Sequence, residues 1–386
     1  MATASCPVGY KIGEYESVSI FEKDDNNLIL NAKQAVDNVN NLIAPKLTGL
    51  EVSKQQVADR ALIELDGTQN KIKLGANATL AVSMAIAKAS AKSVKLPLFL
   101  FLREFISKTS QIKIPSVIFP ISTGSSKINS NINFEEIFIV PTSNSTLDAS
   151  VLMYRKINQE LFKYLRGNNE KILVSPNGSF SPNAATNQEL LTNIVNIISN
   201  SGYQLGLNLF LGIDVAANNF YNDKRYRILD KDSNMDAKTL IEFYEKLVTD
   251  YHILYLEDPL YDQDLDSWHN LTNNISKSTL VASDNMTSTN LYRLQMAMDK
   301  KAITAMSIKP IQIGTVLEAL AVAEVAKTAG IKIVTSSRTF ETNDSFIADF
   351  AVAVGSDYIK FGAPTRGEHL VKFNRLVKIQ EQMKLL

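Results

Sequence analysis

The sequence is poor in the residue types that crosslink a chain or change charge near neutral pH. Its 386 residues include one cysteine, Cys6, and three histidines. A single cysteine excludes an intrachain disulfide and favours a reducing compartment. No apolar run approaches the roughly 18 residues of a membrane-spanning helix, and the first residues lack the basic segment and apolar core of a secretory signal. We therefore expect a cytoplasmic protein with no membrane partner.

The sequence also lacks an excess of charge of either sign. Forty basic and forty acidic residues give a formal net charge of zero, so nothing indicates a basic surface for nucleic acid. Hydrophobic residues make up 45% of the chain and charged residues 21%, which is typical of a globular protein. A chain of this length can form a barrel together with a smaller domain.

Two regions with different periodicity divide the chain. Residues 28–105 are mostly helical in pattern: residues 31–43 carry an apolar stripe, and residues 79–91 are apolar nearly all round, which is typical of a buried helix. After residue 111, short apolar runs alternate with longer amphipathic segments. We therefore predict one domain over residues 1–111 and a second over residues 112–386.

The second region alternates strands with helices, which predicts a parallel sheet. About eight strand-helix units fit a (β/α)8 barrel, whose functional side chains lie at the carboxyl ends of the strands. The predicted strands span residues 117–121, 137–140, 207–213, 253–256, 280–282, 305–308, 332–335 and 357–360. The predicted helices include residues 148–164, 187–199, 237–251, 315–329 and 368–382.

Four motifs in the second region carry a family resemblance. They read LEDPLY at residues 256–261, SIKPIQIG at 307–314, SSRTFETNDSFIAD at 336–349 and IKFGAP at 359–364. In this order and spacing they resemble the enolase family of magnesium-dependent lyases. The resemblance implies an α/β fold, with an enolase-type (β/α)8 barrel and a smaller α+β amino-terminal domain. Enolases carry a strand meander ahead of the segment that residues 10–16 resemble, so we expect a truncated amino-terminal domain. Whether the enolase-type dimer forms without those strands is left open.

The resemblance implies a magnesium site built from carboxylates at strand ends. Asp214 and Glu257 each follow an apolar run, and carboxylate oxygens are ligands that magnesium prefers. The third position falls on Asn285, or on Asp284 if the alignment slips by one residue. An asparagine would remove one negative charge, so we expect magnesium binding to be weak or absent. Taken alone, strand-end acids could equally cap strands or pair with lysines.

Other residues match the groups that act on the substrate in enolases. Lys309 matches the lysine base, although a strand-end lysine that reaches solvent would give the same local pattern. Glu136 matches an active-site glutamate. Arg338, Thr339 and Lys360 match the groups that hold the substrate's carboxylate and phosphate. The resemblance therefore implies that a small phosphorylated acid could bind.

Several departures from the family fall on catalytic positions. Asn177 stands where enolases have their second acid-base glutamate, and an amide cannot exchange the proton that assists hydroxide departure. Lys127 and Ser337 stand at the positions of two family histidines. Lys11 replaces a serine that helps to bind a second magnesium. The three histidines of this chain match neither histidine position and are interpreted as surface or half-buried residues: His252, His269 and His369.

These observations lead to two hypotheses about function. The first is an enolase-like protein that is catalytically inactive and has a structural or protein-interaction role, with partner proteins or a second copy of itself. The alternative is a magnesium-dependent carbon-oxygen lyase, either a weak enolase that converts 2-phosphoglycerate to phosphoenolpyruvate or a related enzyme with Lys309 as its base. Each general acid-base group contributes about 10²–10⁴ in rate. Several losses together therefore favour the first hypothesis.

Overall fold

The computed structural model describes residues 1–7, 9, 12–26, 29–51, 53–107, 112–124, 132–231 and 233–385. The amino-terminal part is mainly helical and begins with a two-stranded antiparallel sheet. Its elements are β1 (Glu22–Lys23), β2 (Ile29–Asn31), α1 (Lys33–Asn38), α2 (Ala44–Leu47), α3 (Gln55–Asp66), α4 (Ala76–Ser93) and α5 (Leu98–Arg103). A π-helical stretch, Val39–Ile43, joins α1 to α2.

Both helices predicted in this part are present. The stripe at residues 31–43 folds as α1 and the π-helical stretch, and residues 79–91 lie within α4. Most of α4 is buried, because it packs both on the other amino-terminal helices and on the core of the second region. The predicted domain boundary at residue 111 stays a prediction, since residues 108–111 lie outside the described part of the chain.

The second region alternates strands and helices as predicted. Its strands are β3 (Ser116–Val117), β4 (Phe119–Thr123), β5 (Glu136–Pro141), β6 (Leu209–Asp214), β7 (Tyr221–Asn222), β8 (Arg225–Tyr226), β9 (Ile253–Glu257), β10 (Leu280–Ser283), β11 (Ala305–Ile308), β12 (Lys332–Ser336) and β13 (Tyr358–Lys360). Its helices are α6 (Leu147–Gly167), α7 (Asn187–Asn200), α8 (Ala237–Tyr251), α9 (Leu265–Ile275), α10 (Leu291–Asp299), α11 (Val316–Thr328), α12 (Phe346–Ala353) and α13 (Gly367–Met383).

The sheet closes into a barrel. Its strand order is β3-β13-β12-β11-β10-β9-β6-β5-β4, and the first and last strands are separated in sequence only by Ile118. One continuous chain segment therefore pairs with β13 on one side and with β5 on the other. Closure leaves the sheet without an open edge. The prediction of an α/β barrel with a smaller amino-terminal part is confirmed.

One strand departs from the predicted parallel arrangement. β5 is antiparallel to both β4 and β6, while the other neighbouring pairs in the barrel are parallel. A parallel neighbour needs a crossover connection, usually a helix. Residues 124 and 132–135, the described part of the link from β4 to β5, form no helix. The expectation of parallel pairing throughout is therefore wrong at β5, and α6 and α7 instead follow each other between β5 and β6.

Side-chain caps fix where several barrel helices begin. The hydroxyl of Thr146 accepts a hydrogen bond from the Ala149 amide at 3.2 Å, and Asp236 accepts one from the Thr239 amide at 2.8 Å. Each cap satisfies one of the unpaired amides at a helix start. The barrel interior is apolar and is filled by Ile118, Phe138, Val140, Tyr255, Ala282, Ala305 and Val334. No helix in the described ranges is both long and apolar enough to cross a membrane.

Candidate functional site

The polar side chains of the site meet because strand ends share one rim of the barrel. Asp214, Glu257 and Lys360 are the last residues of β6, β9 and β13. Glu136 is the first residue of β5, and the reversed direction of this strand places it opposite Asp214 in the sheet register. The antiparallel strand therefore contributes its amino end to the rim where the others contribute their carboxyl ends.

A cavity of about 160 Å³ opens at this rim. Among its described lining residues, six are acidic and three are cationic, so acids predominate by count. The acidic residues are Glu16, Glu135, Glu136, Asp214, Asp258 and Asp284. The cations are Lys309, Arg338 and Lys360. Each cation forms an ion pair, and these pairs determine what the cavity can bind.

Lys360 bridges two of the predicted metal ligands. Its Nζ donates to Glu257 Oε2 and lies 3.4 Å from Asp214 Oδ2. The other oxygen of the fully buried Glu257 accepts a hydrogen bond from the Ser307 hydroxyl at 2.9 Å. Burial alone would lower the pKa of Lys360, but Glu257 and Asp214 outweigh it and hold that pKa well above its ordinary value. The ammonium therefore stays charged between the two carboxylates.

The positive charge of Lys360 compensates only part of the cost of burying the Asp214 carboxylate. Its Oδ1 is buried and has no hydrogen-bond partner among the described residues. Burial together with Glu257 raises the pKa of Asp214 well above its ordinary value. Asp258 shows the same pKa direction, through burial and the neighbouring Asp284. A carboxylate in this setting favours its protonated form or an additional positive group.

Lys309 is held by Asp284 at the end of β10. Lys309 Nζ donates to Asp284 Oδ2, and Gln312 donates to the other oxygen at 2.9 Å. Thr289 accepts from the Lys309 amide at 2.9 Å and donates to Gln312 at 2.6 Å, which closes a small network. Burial would raise the pKa of Asp284, but Lys309 and Lys360 outweigh it and lower that pKa to about 2. Lys309 therefore faces an ionised partner at neutral pH.

Arg338 is paired with a residue from the amino-terminal part. Its Nη1 lies 2.6 Å from Glu16 Oε2, and both side chains are buried. The second oxygen of Glu16 accepts a hydrogen bond from the Gly13 amide at 2.9 Å. The segment around Glu16 thus reaches the barrel rim and neutralises the guanidinium there.

Glu136 faces an amide. Asn177 Nδ2 donates to Glu136 Oε1, while Asn177 Oδ1 accepts from the Ser179 amide at 2.9 Å and from the Ser179 hydroxyl at 2.7 Å. These bonds fix which end of the amide points to Glu136, since only the nitrogen can donate. Burial raises the pKa of Glu136 to about 7, against the lowering effect of Lys360.

The oxygen atoms at the rim do not fit a magnesium ion as they stand. Asp284 and Glu257 each have both oxygens engaged by cations or hydrogen-bond donors, which leaves Asp214 Oδ1 as an unsatisfied carboxylate oxygen of this set. Within the described ranges, no three His, Cys, Asp or Glu side chains are grouped to hold a metal. Asn285 also lines the cavity, so both candidates for the third ligand are present. Lys360 would have to move before magnesium could bind.

The remaining predicted positions are placed as follows. Thr339 lines the cavity and is exposed, and its carbonyl accepts from the Gly9 amide at 3.1 Å. Ser337 also lines the cavity and donates through its hydroxyl to the Lys360 carbonyl at 3.3 Å. Lys11 and Lys127 lie outside the described part of the chain.

His369 was misjudged from the sequence. It is 3% exposed and lines the cavity, whereas we expected a surface or half-buried residue without a place in the site. His252 is exposed and His269 is half-buried, in agreement with the expectation from the sequence. Sequence reasoning also missed Glu16 as the partner of Arg338. The family motifs that predict the other site residues assign no role to either one.

Comparison with protein-family models identifies both regions. Residues 1–102 match the model described as Enolase, N-terminal domain. Residues 111–385 match the model described as Enolase, C-terminal TIM barrel domain. The two matches together extend over most of the chain and agree with the barrel and its helical amino-terminal part.

Proposed function

Because this chain belongs to the enolase family, we propose that it is a catalytically inactive member whose rim cavity binds a small phosphorylated or carboxylated acid. The proposal includes an architectural or protein-binding role, through partner proteins or a second copy of the chain. The main support for a loss of activity is the contact between Asn177 and Glu136. An amide there occupies the position that the resemblance assigns to an acid-base glutamate.

The chemistry of proton transfer explains why this contact matters. Expulsion of hydroxide needs a group that gives a proton to the leaving oxygen, and a carboxyl with a raised pKa suits this role. Asn177 has no such proton, and its oxygen already accepts from Ser179. Glu136 retains a carboxyl, but it accepts a hydrogen bond from Asn177. One half of the expected acid-base pair is therefore missing.

The ion pairs at the rim argue in the same direction. Lys309, the base that the resemblance implies, donates a hydrogen bond to Asp284 and is held by that carboxylate. Lys360 lies between Asp214 and Glu257, where the resemblance places magnesium. In this superfamily, metal charge stabilises the carbanion that follows proton abstraction.

Anion binding is compatible with the same cations, provided that the ligand competes with their present partners. A phosphate group can accept two parallel hydrogen bonds from a guanidinium, and such charge-assisted pairs are strong. Arg338 is the most suitable cation for this exchange, because its planar guanidinium offers parallel donors and Glu16 comes from a separate segment. The ligand would then lie between Arg338, Lys309 and Lys360.

An assay of purified protein with 2-phosphoglycerate and magnesium, coupled to consumption of phosphoenolpyruvate, tests the loss of activity. We expect turnover to be undetectable, or several orders of magnitude below that of an ordinary enolase. The matched control is Lys309→Ala, because a trace of host enolase in the preparation would persist in this variant. Turnover that is present in the unmodified protein and abolished by Lys309→Ala would instead establish the lyase alternative.

Binding is tested separately from activity. A ligand that binds only the native state must stabilise it, so millimolar phosphoenolpyruvate should raise the melting temperature of the unmodified protein. Chloride at matched ionic strength controls for general salt effects. The absence of any rise would remove acid binding from the proposal and leave only the architectural role.

A further inference from the structure

His369 is a buried titratable group that the proposed function has not used. It lies in the first turn of α13, is 3% exposed and lines the rim cavity. The ring is held in place on one side by Gly362, where a Cβ atom would lie 2.5 Å from the imidazole Cε1. Gly362 also has a φ of +80°, a conformation that suits glycine. The backbone is therefore shaped to leave room for this ring.

Hydrogen bonding fixes the tautomer of His369. Its Nδ1 lies 3.1 Å from the carbonyl oxygen of Ala363. A carbonyl only accepts, so Nδ1 carries the proton and Nε2 of the neutral ring is an acceptor. Burial lowers the pKa of His369, which favours this neutral form at pH 7. Within the described part of the chain, Nε2 has no hydrogen-bond partner and is not a fully enclosed atom.

The same backbone places the ring beside the Asn177 end of the cavity. The Ala363 amide donates to the Asn177 carbonyl at 2.8 Å, and the Asn177 side chain contacts Glu136. This end of the cavity is lined by Glu136, Asn177 and His369, and the three cations line the same cavity. A ligand anchored by Arg338 and the lysines would thus bring its uncharged end toward hydrogen-bonding groups rather than toward apolar surface.

We propose that His369 is a ligand-positioning residue whose Nε2 accepts a hydrogen bond from a hydroxyl of a small phosphorylated hydroxy acid. The assignment rests on the proposed acid binding in the same cavity. A neutral acceptor disfavours a fully ionised phosphate or carboxylate oxygen, which has no hydrogen to give, and favours an alcohol. The residue would therefore make the cavity prefer a hydroxylated acid to its deoxy analogue.

A matched pair of ligands tests this preference. 2-Phosphoglycerate and 2-phospholactate carry the same phosphate and carboxylate and differ by a hydroxyl against a hydrogen. Calorimetry in magnesium-free buffer with chelator measures binding without turnover. We expect 2-phosphoglycerate to bind about threefold to tenfold more tightly, the range for one net hydrogen bond.

Substitutions at His369 distinguish the roles of its two ring nitrogens. His369→Asn keeps an amide nitrogen near the place of Nδ1, so it can retain the bond to Ala363 while removing the group at Nε2, and it should bind both ligands equally. His369→Gln carries its amide farther along the side chain and should retain the preference. His252→Asn is the control, since His252 is exposed and has a φ of +48°, which asparagine tolerates.

The outcomes distinguish this inference from the proposed function. Equal affinity of the unmodified protein for the two ligands, or an undiminished preference in His369→Asn, would overturn the role of His369 while leaving acid binding intact. If neither ligand binds the unmodified protein, the proposed acid binding fails and this inference fails with it.

A measurement on the unmodified protein covers the case in which His369→Asn does not fold. Spectra of protein labelled with ¹⁵N-histidine report three residues, which His252→Asn and His269→Asn assign by elimination. The Nε2 signal of His369 should move with 2-phosphoglycerate and stay in place with 2-phospholactate. An unchanged signal under saturating 2-phosphoglycerate would contradict the proposal.

Discussion

The carboxylate of Glu16 lies 2.6 Å from the guanidinium of Arg338, and neither side chain is more than 8% exposed. Glu16 belongs to the amino-terminal part and Arg338 follows β12 on the barrel rim. A buried pair of this kind brings together two regions that are distant in sequence. It also places a competitor at the cation best suited to a phosphate.

Replacing Glu16 by glutamine should therefore strengthen anion binding while weakening the fold. The variant leaves Arg338 without its buried carboxylate, so its melting temperature without phosphate should fall. Phosphate should then raise the melting temperature of the variant more than that of the parent. Its affinity should be roughly tenfold higher, because the charge-assisted bond from Arg338 to Glu16 no longer competes with phosphate. Thermal unfolding against phosphate concentration measures both effects. Glu14→Gln, at an exposed position, is the control, and an unaltered phosphate response in Glu16→Gln would contradict the competition.

The pair of Lys309 and Asp284 should show strong energetic coupling. Removal of one partner from a buried pair costs about 3–5 kcal/mol, because the other charge stays buried without compensation. We expect Asp284→Asn to lose stability on that order and the double variant with Lys309→Met to recover much of it. Urea unfolding of the four proteins of this cycle gives the coupling. Additive losses would show that the two side chains do not depend on each other.

Magnesium should bind poorly until Lys360 is removed. The ammonium lies beside both Asp214 and Glu257 and repels a cation that approaches them. Lys360→Met should bind magnesium at least about tenfold more tightly than the parent, measured by calorimetry. Lys332→Met serves as the control, because Lys332 is exposed at the start of β12, away from the rim. Micromolar affinity in the unmodified protein, lost on Asp214→Ala, would refute this prediction.

Restoring a carboxyl at residue 177 should not restore activity. Asn177→Glu supplies the missing acid but leaves Lys309 paired with Asp284 and Lys360 between the other carboxylates. Groups that act as a unit are strongly non-additive in their effects on rate. The coupled assay should therefore remain at background for this variant. A clear rise in turnover would mean that Asn177 alone accounts for the loss.

Glu136 should make stability depend on pH. Burial raises its pKa from 4.5 to about 7, so the folded protein holds this proton to higher pH than the unfolded chain. Between those two values, rising pH ionises the unfolded state first and lowers the free energy of unfolding, by at most roughly 3 kcal/mol, and above about pH 7 the loss is constant. Glu136→Gln should therefore gain stability over the parent between about pH 5 and pH 8 in urea unfolding. Glu242→Gln, at an exposed position, should show no such gain, and parallel pH profiles for Glu136→Gln and the parent would exclude the effect.

The family resemblance singled out Glu257, Lys309 and Lys360, and the strand pattern explains why they lie at one rim. Each follows a short apolar run, and a barrel brings such positions to one rim whatever the details of packing. Their roles in binding or catalysis stay predictions. The alternation of strands and helices likewise predicted the barrel. The direction of β5 was not predictable from alternation, because it depends on whether the chain crosses over between two strands.

His369 and Glu16 are site residues that no periodic pattern in the sequence could reveal. His369 lies on a helix, and its ring reaches the cavity beside the turn at Gly362. Glu16 reaches Arg338 because a segment of the amino-terminal part packs on the rim. Contacts between elements that are distant in sequence leave no periodic signal along the chain. They are decided by tertiary packing, which a single sequence does not express.

The space beside Gly362 constrains residue 362 on two separate grounds. A side chain at residue 362 would overlap the imidazole of His369, and the φ of +80° restricts the position to glycine independently of that ring. A smaller side chain at residue 369 would therefore not make residue 362 tolerant of alanine, because the backbone restriction would remain.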